Sequence, residues 1–340
     1  MAQDTAPSTS INAAFGTVAA ARMAVAEASD GTFGRERVVP TSDLTLHPFA
    51  HCLHYGSTCF EGLKAHRGSD GVVRIFRLDR HVARMRRTAA LVQLAVPPAD
   101  LLERMIVATV EANLTEVPAA PGALYVRPML LGMDPNIGAA ATPSGSALLV
   151  VVASPVGDYF AGGARPLTLL VETEVPRTTP QFGEAKAGAN YLMALGITRR
   201  ARDELGCDQV LFAPGGHVQE TGASNFLLFD ADRVVTRALD STFLHGVTRD
   251  SVLTLARDRG MDVEERDVTV DELLAWRGEA VLAGTAAVLS GVGTLVHAGA
   301  RHTVGDGTVG PITLALREGL AAIQRGEADD AHGWTRVVTG

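Results

Sequence analysis

The feature that most constrains this chain is an interruption. Ser154 to Pro166 holds two prolines and three glycines within thirteen residues, a composition in which neither a helix nor a central strand persists. It splits the 340 residues into two stretches, and a single core stops growing at roughly 250–300 residues. The organisation expected is two domains: residues 1–155, a linker at 156–166, and residues 167–340.

Neither stretch alternates strand and helix regularly. After a loose tail at 1–12, residues 72–77 read as a strand. Residues 79–96 place Val82, Met85, Ala89 and Val92 on one helical side until Pro97 and Pro98 stop the helix. A second helix at 99–114 and strands at 124–132 and 146–153 follow. Past the linker come a strand at 167–172, a Thr-, Pro- and Gly-rich loop at 174–189 and a helix near 190–205. Strands at 208–213 and 225–230, joined through Gly215 and Gly216, read as a hairpin. A helix at 247–259 opens on Thr248 and Asp250 and closes at Gly260. Strands at 262–268 and 279–283 and a helix near 311–324 complete the chain. Two α+β domains fit this order better than a doubly wound sheet.

Charge and composition narrow the function classes. A net charge of −8 argues against a broad nucleic-acid footprint. The local cluster Arg80, Arg84, Arg86 and Arg87 is a solvated helix face from which one residue could contact an anion. The three cysteines, Cys52, Cys59 and Cys207, have no short C-x-x-C spacing and suit a reducing compartment. Asp4, Arg22, Glu27 and Asp30 interrupt any secretory leader. No apolar run reaches the 18 or so residues of a membrane span. A cytoplasmic protein is expected, with no membrane and no nucleic-acid partner.

Two motifs are set aside. Gly305 to Gly310 matches G-x-G-x-x-G, yet no convincing strand precedes it and too little chain follows to finish a dinucleotide unit, and a surface turn accounts for it. His47, His51 and His54 lie near Cys52, but no second cluster completes a metal site. No metal is expected.

Of 30 basic residues only Lys64 and Lys186 are lysines. Arginine cannot supply a neutral amine near neutral pH, whereas lysine can. Lys186 sits in Gly183-Glu184-Ala185-Lys186-Ala187-Gly188, small residues that let a bulky partner approach. A neutral lysine attacks an aldehyde to form a Schiff base. Alone, the motif could equally be a surface loop. Downstream, however, stand the carboxylate Glu220 and two segments shaped like phosphate cups, Gly246-Val247-Thr248-Arg249 at a helix start and Gly284-Thr285-Ala286-Ala287 after a strand. A lysine, a carboxylate and two cups are the parts that pyridoxal 5′-phosphate (PLP) needs. Lys64 is read as an ordinary surface or salt-bridge lysine.

With these blocks, the sequence resembles the branched-chain amino-acid aminotransferases of the fold-type IV PLP class. The likeness runs from about Phe15 to Trp334. It includes Leu53-His54-Tyr55-Gly56, Phe60-Glu61-Gly62-Leu63-Lys64, Tyr125-Val126-Arg127-Pro128 and His332-Gly333-Trp334. The resemblance implies a small α/β domain followed by a larger mixed β domain with helices. It implies that Lys186 bonds to the cofactor and shuttles a proton, that Glu220 faces the ring nitrogen, and that Tyr191 contacts the phenolic oxygen. Arg84, Val247, Thr248 and Thr285 would hold the phosphate. Phe15, Tyr55, Phe60, Tyr125 and Tyr159 would wall the side-chain pocket. Tyr55, Arg127 and the backbone around Thr285 and Ala286 would place substrate carboxylates. Ile137 and Ala139 would reach in from a neighbouring subunit of a homodimer. The implied reaction is amino transfer between leucine, isoleucine or valine and 2-oxoglutarate, ping-pong through the pyridoxamine form.

Departures fall on the pocket edges: Val18 to Met23, Ala223-Ser224 after the pyridine acid, and Ser290-Gly291. Ala287 and Ser290 stand where mammalian members have a redox C-x-x-C. Small residues at Ala139 and Ala223 suggest shallow discrimination among aliphatic side chains. The alternatives are a D-amino-acid aminotransferase, an aminodeoxychorismate lyase, a secondary-metabolism aminotransferase for an unusual amino acid, and a non-catalytic PLP carrier.

Overall fold

The structure is a computed structural model and describes residues 14–157 and 165–339. The described chain forms two sheets. The first is antiparallel throughout, in the order Thr335–Val338, Val73–Phe76, Leu63–Arg67, Ala123–Gly132, Ser146–Val156, Arg22–Ser29 and Thr32–Phe33. Thr58–Phe60 adds to Ala123–Gly132, and Arg37–Pro40 adds to Arg22–Ser29. Ala123–Gly132 alternates buried and half-buried positions, the period of two that one covered face imposes. The cover is two helices, Leu78–Leu91 and Ala99–Ala112. They bury Met85, Leu102, Met105 and Ile106 against Leu63, Ile75, Leu124 and Leu130. Each such side chain contributes about 1.5–3 kcal/mol of transfer free energy.

The second sheet is mixed, ordered Gln209–Phe212, Leu167–Glu172, Val288–His297, Glu279–Gly284, Asn225–Phe229, Arg233–Thr236 and Asp262–Glu265, with Ala300–Thr303 beside Val288–His297. Its parallel pairs require crossovers. The helix Gly188–Leu205 lies between Leu167–Glu172 and Gln209–Phe212, and Val247–Asp258 lies between Arg233–Thr236 and Asp262–Glu265. The architecture is the expected α+β.

Three local expectations change. The strands at 209–212 and 225–229 are not paired. Phe212 instead exchanges backbone hydrogen bonds with Gln219 and Glu220, and Thr221 turns the chain again toward Ser224. Two successive turns place Glu220 between the strands, where one hairpin was expected. Second, the chain end does not stay with the second sheet: Thr335–Val338 joins the first. Trp334 just before it packs edge-on to Phe76 at 5.7 Å, inside a core shared with Phe229, Leu316 and Leu320. Third, the strand Val288–His297 is absent from the sequence reading because Gly291 and Gly293 weaken the strand signal. A Cβ at Gly293 would lie 2.4 Å from the Gly307 carbonyl, so the glycine is demanded by the loop that crosses it.

Candidate active site

The loop before Gly188–Leu205 is tied down on every side. The Asn190 amide donates to the Phe182 and Ala185 carbonyls at 2.7 and 2.8 Å, and the Thr178 hydroxyl donates to Asn190 Oδ1 at 2.7 Å. The Lys186 N–H donates to Thr88 Oγ1 at 3.2 Å, and its carbonyl accepts from the Phe60 N–H at 3.0 Å. With the backbone held, only side-chain rotation places the amine. Lys186 Nζ lies 2.7 Å from Tyr191 Oη and 5.0 Å from the Phe60 ring centroid.

Glu220 is buried at 2% exposure. Its Oε1 accepts from the Leu244 N–H at 3.0 Å and pairs with Arg177 Nη2 at 2.9 Å. Its Oε2 accepts from Asn225 Nδ2 at 3.0 Å. Burial pushes the carboxyl above its ordinary value, against the opposing charges of Arg177, Lys186 and Arg84. Two of about four acceptor positions on the carboxylate take hydrogen bonds, and the Arg177 ion pair sits against Oε1, which leaves an open position on Oε2.

Arg84 comes from the helix Leu78–Leu91 and is also buried. Glu61 grips it twice, through Nε at 2.6 Å and Nη2 at 2.9 Å, and Nη1 donates to the His245 carbonyl at 3.0 Å. Two of its five N–H donors remain. Beside it Val247–Asp258 begins at Gly246 with no side-chain cap on its first turn, so its leading N–H groups suit an anion. A Cβ at Gly246 would strike Asn225 Oδ1 at 1.8 Å. One cleft is lined by Arg84, Lys186, Glu220, Val247, Thr248 and Thr285, all six predicted from sequence.

The second cup is the turn joining Glu279–Gly284 to Val288–His297. Val288 has φ of 60°, costly for a β-branched residue and a mark of an over-determined turn. Lys64, expected at the surface, is half-buried and donates from Nζ to the Ala286 carbonyl at 2.7 Å. The surface reading is corrected: Lys64 reaches from the first sheet and holds this turn.

The aromatic residues fall into two groups. Phe60 lies 5.3 Å from the Tyr191 ring, the Arg127 guanidinium stacks 4.5 Å from Phe60, and Arg127 donates to Tyr125 Oη at 2.9 Å. Phe15 meets Tyr125 edge-on at 5.0 Å. This chain of contacts runs outward from Lys186. In the other group Tyr55 Oη donates to the Ile137 carbonyl, and His51 bridges Ser57 and the Ala139 carbonyl. Tyr55 and Ile137 are exposed. Tyr159 lies outside the described residues.

An amine, a part-satisfied carboxylate, a braced guanidinium and an uncapped helix start meet in one cleft, and the family described as amino-transferase class IV matches residues 58–293. The chain belongs to the class IV aminotransferases, in the branched-chain group. It is 38% identical to the branched-chain-amino-acid aminotransferase of Mycolicibacterium smegmatis, over 88% of this chain and 84% of that one. The T.th. branched-chain amino acid aminotransferase with pyridoxamine 5′-phosphate superimposes with TM-score 0.78 at 27% identity, covering 95% of this chain and all of that one. The Thermoproteus uzoniensis branched-chain aminotransferase with norvaline gives 0.76 at 27% identity, covering 93% of this chain and 100% of that one. The fold is therefore that of the fold-type IV aminotransferases.

In this aminotransferase the remaining sequence features have structural uses. A strand, Ala300–Thr303, does precede the Gly305 to Gly310 segment, contrary to the sequence reading. The following helix start is already occupied: the Ile312 and Thr313 N–H groups both donate to Glu279, at 2.8 Å. His54 Nε2 sits 2.9 Å from the Pro48 carbonyl, and His47 Nδ1 accepts from the Phe49 N–H at 3.1 Å. Of the arginine cluster, Arg84 is the buried member. Sequence reasoning missed Arg177 and gave Glu61 no role; both emerge only as buried partners of predicted residues.

Proposed function

We propose that this chain is a PLP-dependent aminotransferase that exchanges the amino group of leucine, isoleucine or valine with 2-oxoglutarate. The carrying observation is the cleft in which Lys186, Glu220 and Arg84 converge. The donor set suits PLP: a lysine for the aldehyde, an open acceptor for the ring N–H, and donors for the phosphate. When bound, PLP supplies the electron sink for amino transfer.

The residues divide the work. Lys186 holds the cofactor and moves the proton at the substrate Cα. Tyr191, within hydrogen-bond reach of Nζ, contacts the phenolic oxygen. Arg84, the Val247 and Thr248 N–H groups and the Thr248 and Thr285 hydroxyls bind the phosphate. Phe15, Phe60, Tyr125 and Arg127 form the pocket wall, and the turn at Thr285 and Ala286 receives a carboxylate. Tyr55, Ile137 and Ala139 act as one unit, because Tyr55 is bound to the Ile137 carbonyl. The exposed Phe49, Leu53 and Ile137 beside it support a homodimer in which this unit completes the partner's pocket. The small N-terminal domain, the linker at 156–166 and the larger PLP-binding domain are the proposed division. Among the described residues no helix is long and apolar enough to cross a membrane, and the cytoplasm is the proposed location.

Borohydride reduction of the yellow holoprotein, followed by peptide mapping, tests the site. The pyridoxyl label belongs on Lys186, and a label on Lys64 overturns the assignment. Mixing the holoprotein with single amino acids tests the substrate. Leucine, isoleucine and valine convert the spectrum to the pyridoxamine form. Conversion by D-alanine alone, or pyruvate release from aminodeoxychorismate, moves the reading to another member of the fold.

A further inference from the structure

We propose that Arg177 is a positioning residue that decides where the shared proton rests between Glu220 and the cofactor's ring nitrogen. The inference rests on the reading that Glu220 faces that nitrogen. Arg177 and Glu220 are 3% and 2% exposed, so water screens neither. Arg177 Nη2 stands 2.9 Å from Glu220 Oε1 and also donates to the Gly183 carbonyl at 2.9 Å. One nitrogen thus ties the carboxylate to the loop that presents Lys186. Gly183 in turn packs against the backbone at Thr242 and Phe243, since a Cβ there would lie 1.9 Å from the Thr242 carbonyl carbon.

The polar contacts of the carboxylate place the charges. Arg177 and the Leu244 N–H use Oε1, Asn225 uses part of Oε2, and the open position remains on Oε2. The charged groups acting on Glu220 are Arg177, Lys186 and Arg84, and burial works against all three. An anionic Glu220 accepts an N–H from a protonated ring. A neutral Glu220 donates its own O–H to an unprotonated ring, a much weaker electron sink. Only one proton changes place, from ring nitrogen to Oε2. Arg177 is the cation in direct contact with the carboxylate, and its removal favours the second arrangement.

Reconstitution of the holoenzyme with pyridoxal phosphate labelled with ¹⁵N in the ring reads this proton directly by NMR. In the wild type the ring nitrogen is protonated. Arg177→Met and Glu220→Gln both shift its resonance to the unprotonated position and slow the single-turnover reaction with leucine by about 10²-fold. Arg177→Lys keeps the charge and keeps the protonated signal. The double variant R177M/E220Q carries no buried unpaired charge, and it serves if Arg177→Met alone does not fold. It matches Glu220→Gln in signal and, within about threefold, in rate, because contacting residues acting through one group are not additive. An unmoved signal in Arg177→Met, or a double variant ten times slower than Glu220→Gln, overturns the role of Arg177. An unmoved signal in Glu220→Gln overturns the placement of Glu220 itself, and the two failures are thereby distinguished.

Discussion

Glu61 and Glu220 are both almost fully buried, at 1% and 2% exposure, yet burial has opposite outcomes. Glu61 receives four donors: Nε and Nη2 of Arg84, Nδ1 of His81 and the Gly62 N–H. Burial alone would raise its pKa, but the Arg84 charge and the bonds from His81 and Arg84 hold it well below the usual carboxylate range. Glu220 has two hydrogen-bond donors and the Arg177 ion pair, and burial keeps it above its ordinary value. A saturated carboxylate is finished structure; one left a donor short is ready for a ligand. The first sheet therefore braces the phosphate arginine, while the second sheet holds the group that responds to the cofactor.

Removing each negative charge tests the contrast most strongly. Glu61→Gln leaves Arg84 buried without its counter-ion, and breaking such a pair costs about 3–5 kcal/mol. Glu220→Gln likewise strands Arg177, but it removes a carboxylate whose charge burial disfavours, so its loss is the smaller of the two. Urea unfolding of the two apo variants measures the gap. Equal losses would erase the distinction between brace and responder.

Acid sharpens the same comparison through sign. Stability rises with pH wherever the unfolded chain binds more protons. Glu61 has a folded value below its reference of 4.5, so the unfolded chain protonates first as pH falls through 4.5. The wild type's advantage over Glu61→Gln then shrinks, at up to about 1.4 kcal/mol per pH unit. Glu220 has a folded value above 4.5, so the native state protonates first. The wild type gains on Glu220→Gln as pH falls toward 4.5. His66, pushed down to about 3 by burial and the nearby Lys64, is common to all three proteins and cancels in the differences. Difference curves of opposite slope are expected; parallel curves contradict the assigned directions.

How legible this site was depends on which residues announce themselves. Lys186 was visible because lysine is rare here and its neighbours are small. The helix start at Val247 was visible through Gly246 and Thr248, residues that a cup requires. Glu220 was visible as the carboxylate downstream of Lys186, but its position facing the cleft was not, since nothing local predicts two successive turns around it. Arg177 was invisible: one arginine among many, its significance lies in burial beside a residue 43 positions away. The turn holding Ala286 was marked, but its clamp Lys64 was not, because a strand residue's reach across two sheets has no sequence period. The long strand through Gly291 and Gly293 was hidden by glycines placed there for loop packing.

Lys64 joins the two regions and carries the smallest effect. It lies on Glu61's sheet, opposite Tyr125 in register, and grips a turn on Glu220's sheet through the Ala286 carbonyl. That turn already holds Val288 at φ 60°, a conformation costing of order 1–3 kcal/mol. A charged hydrogen bond is worth about 1.5–3 kcal/mol, enough to offset such a cost but small beside a buried ion pair. Lys64→Met frees the carbonyl and loosens the neighbouring N–H groups proposed to receive a substrate carboxylate. Carboxylate binding weakens alike in ground and transition states, so KM rises with little change in kcat. A KM increase of about fivefold for 2-oxoglutarate, near 1 kcal/mol, is expected, with kcat within about twofold. Lys64→Arg does not restore it, because the planar guanidinium on a longer stem cannot reproduce a point-charge contact at 2.7 Å. Steady-state kinetics of the three proteins decide. An unchanged KM in Lys64→Met would mean that the turn keeps its shape unaided and that the two regions are coupled only through the cofactor; a fall in kcat at constant KM would place Lys64 among the groups acting on the transition state.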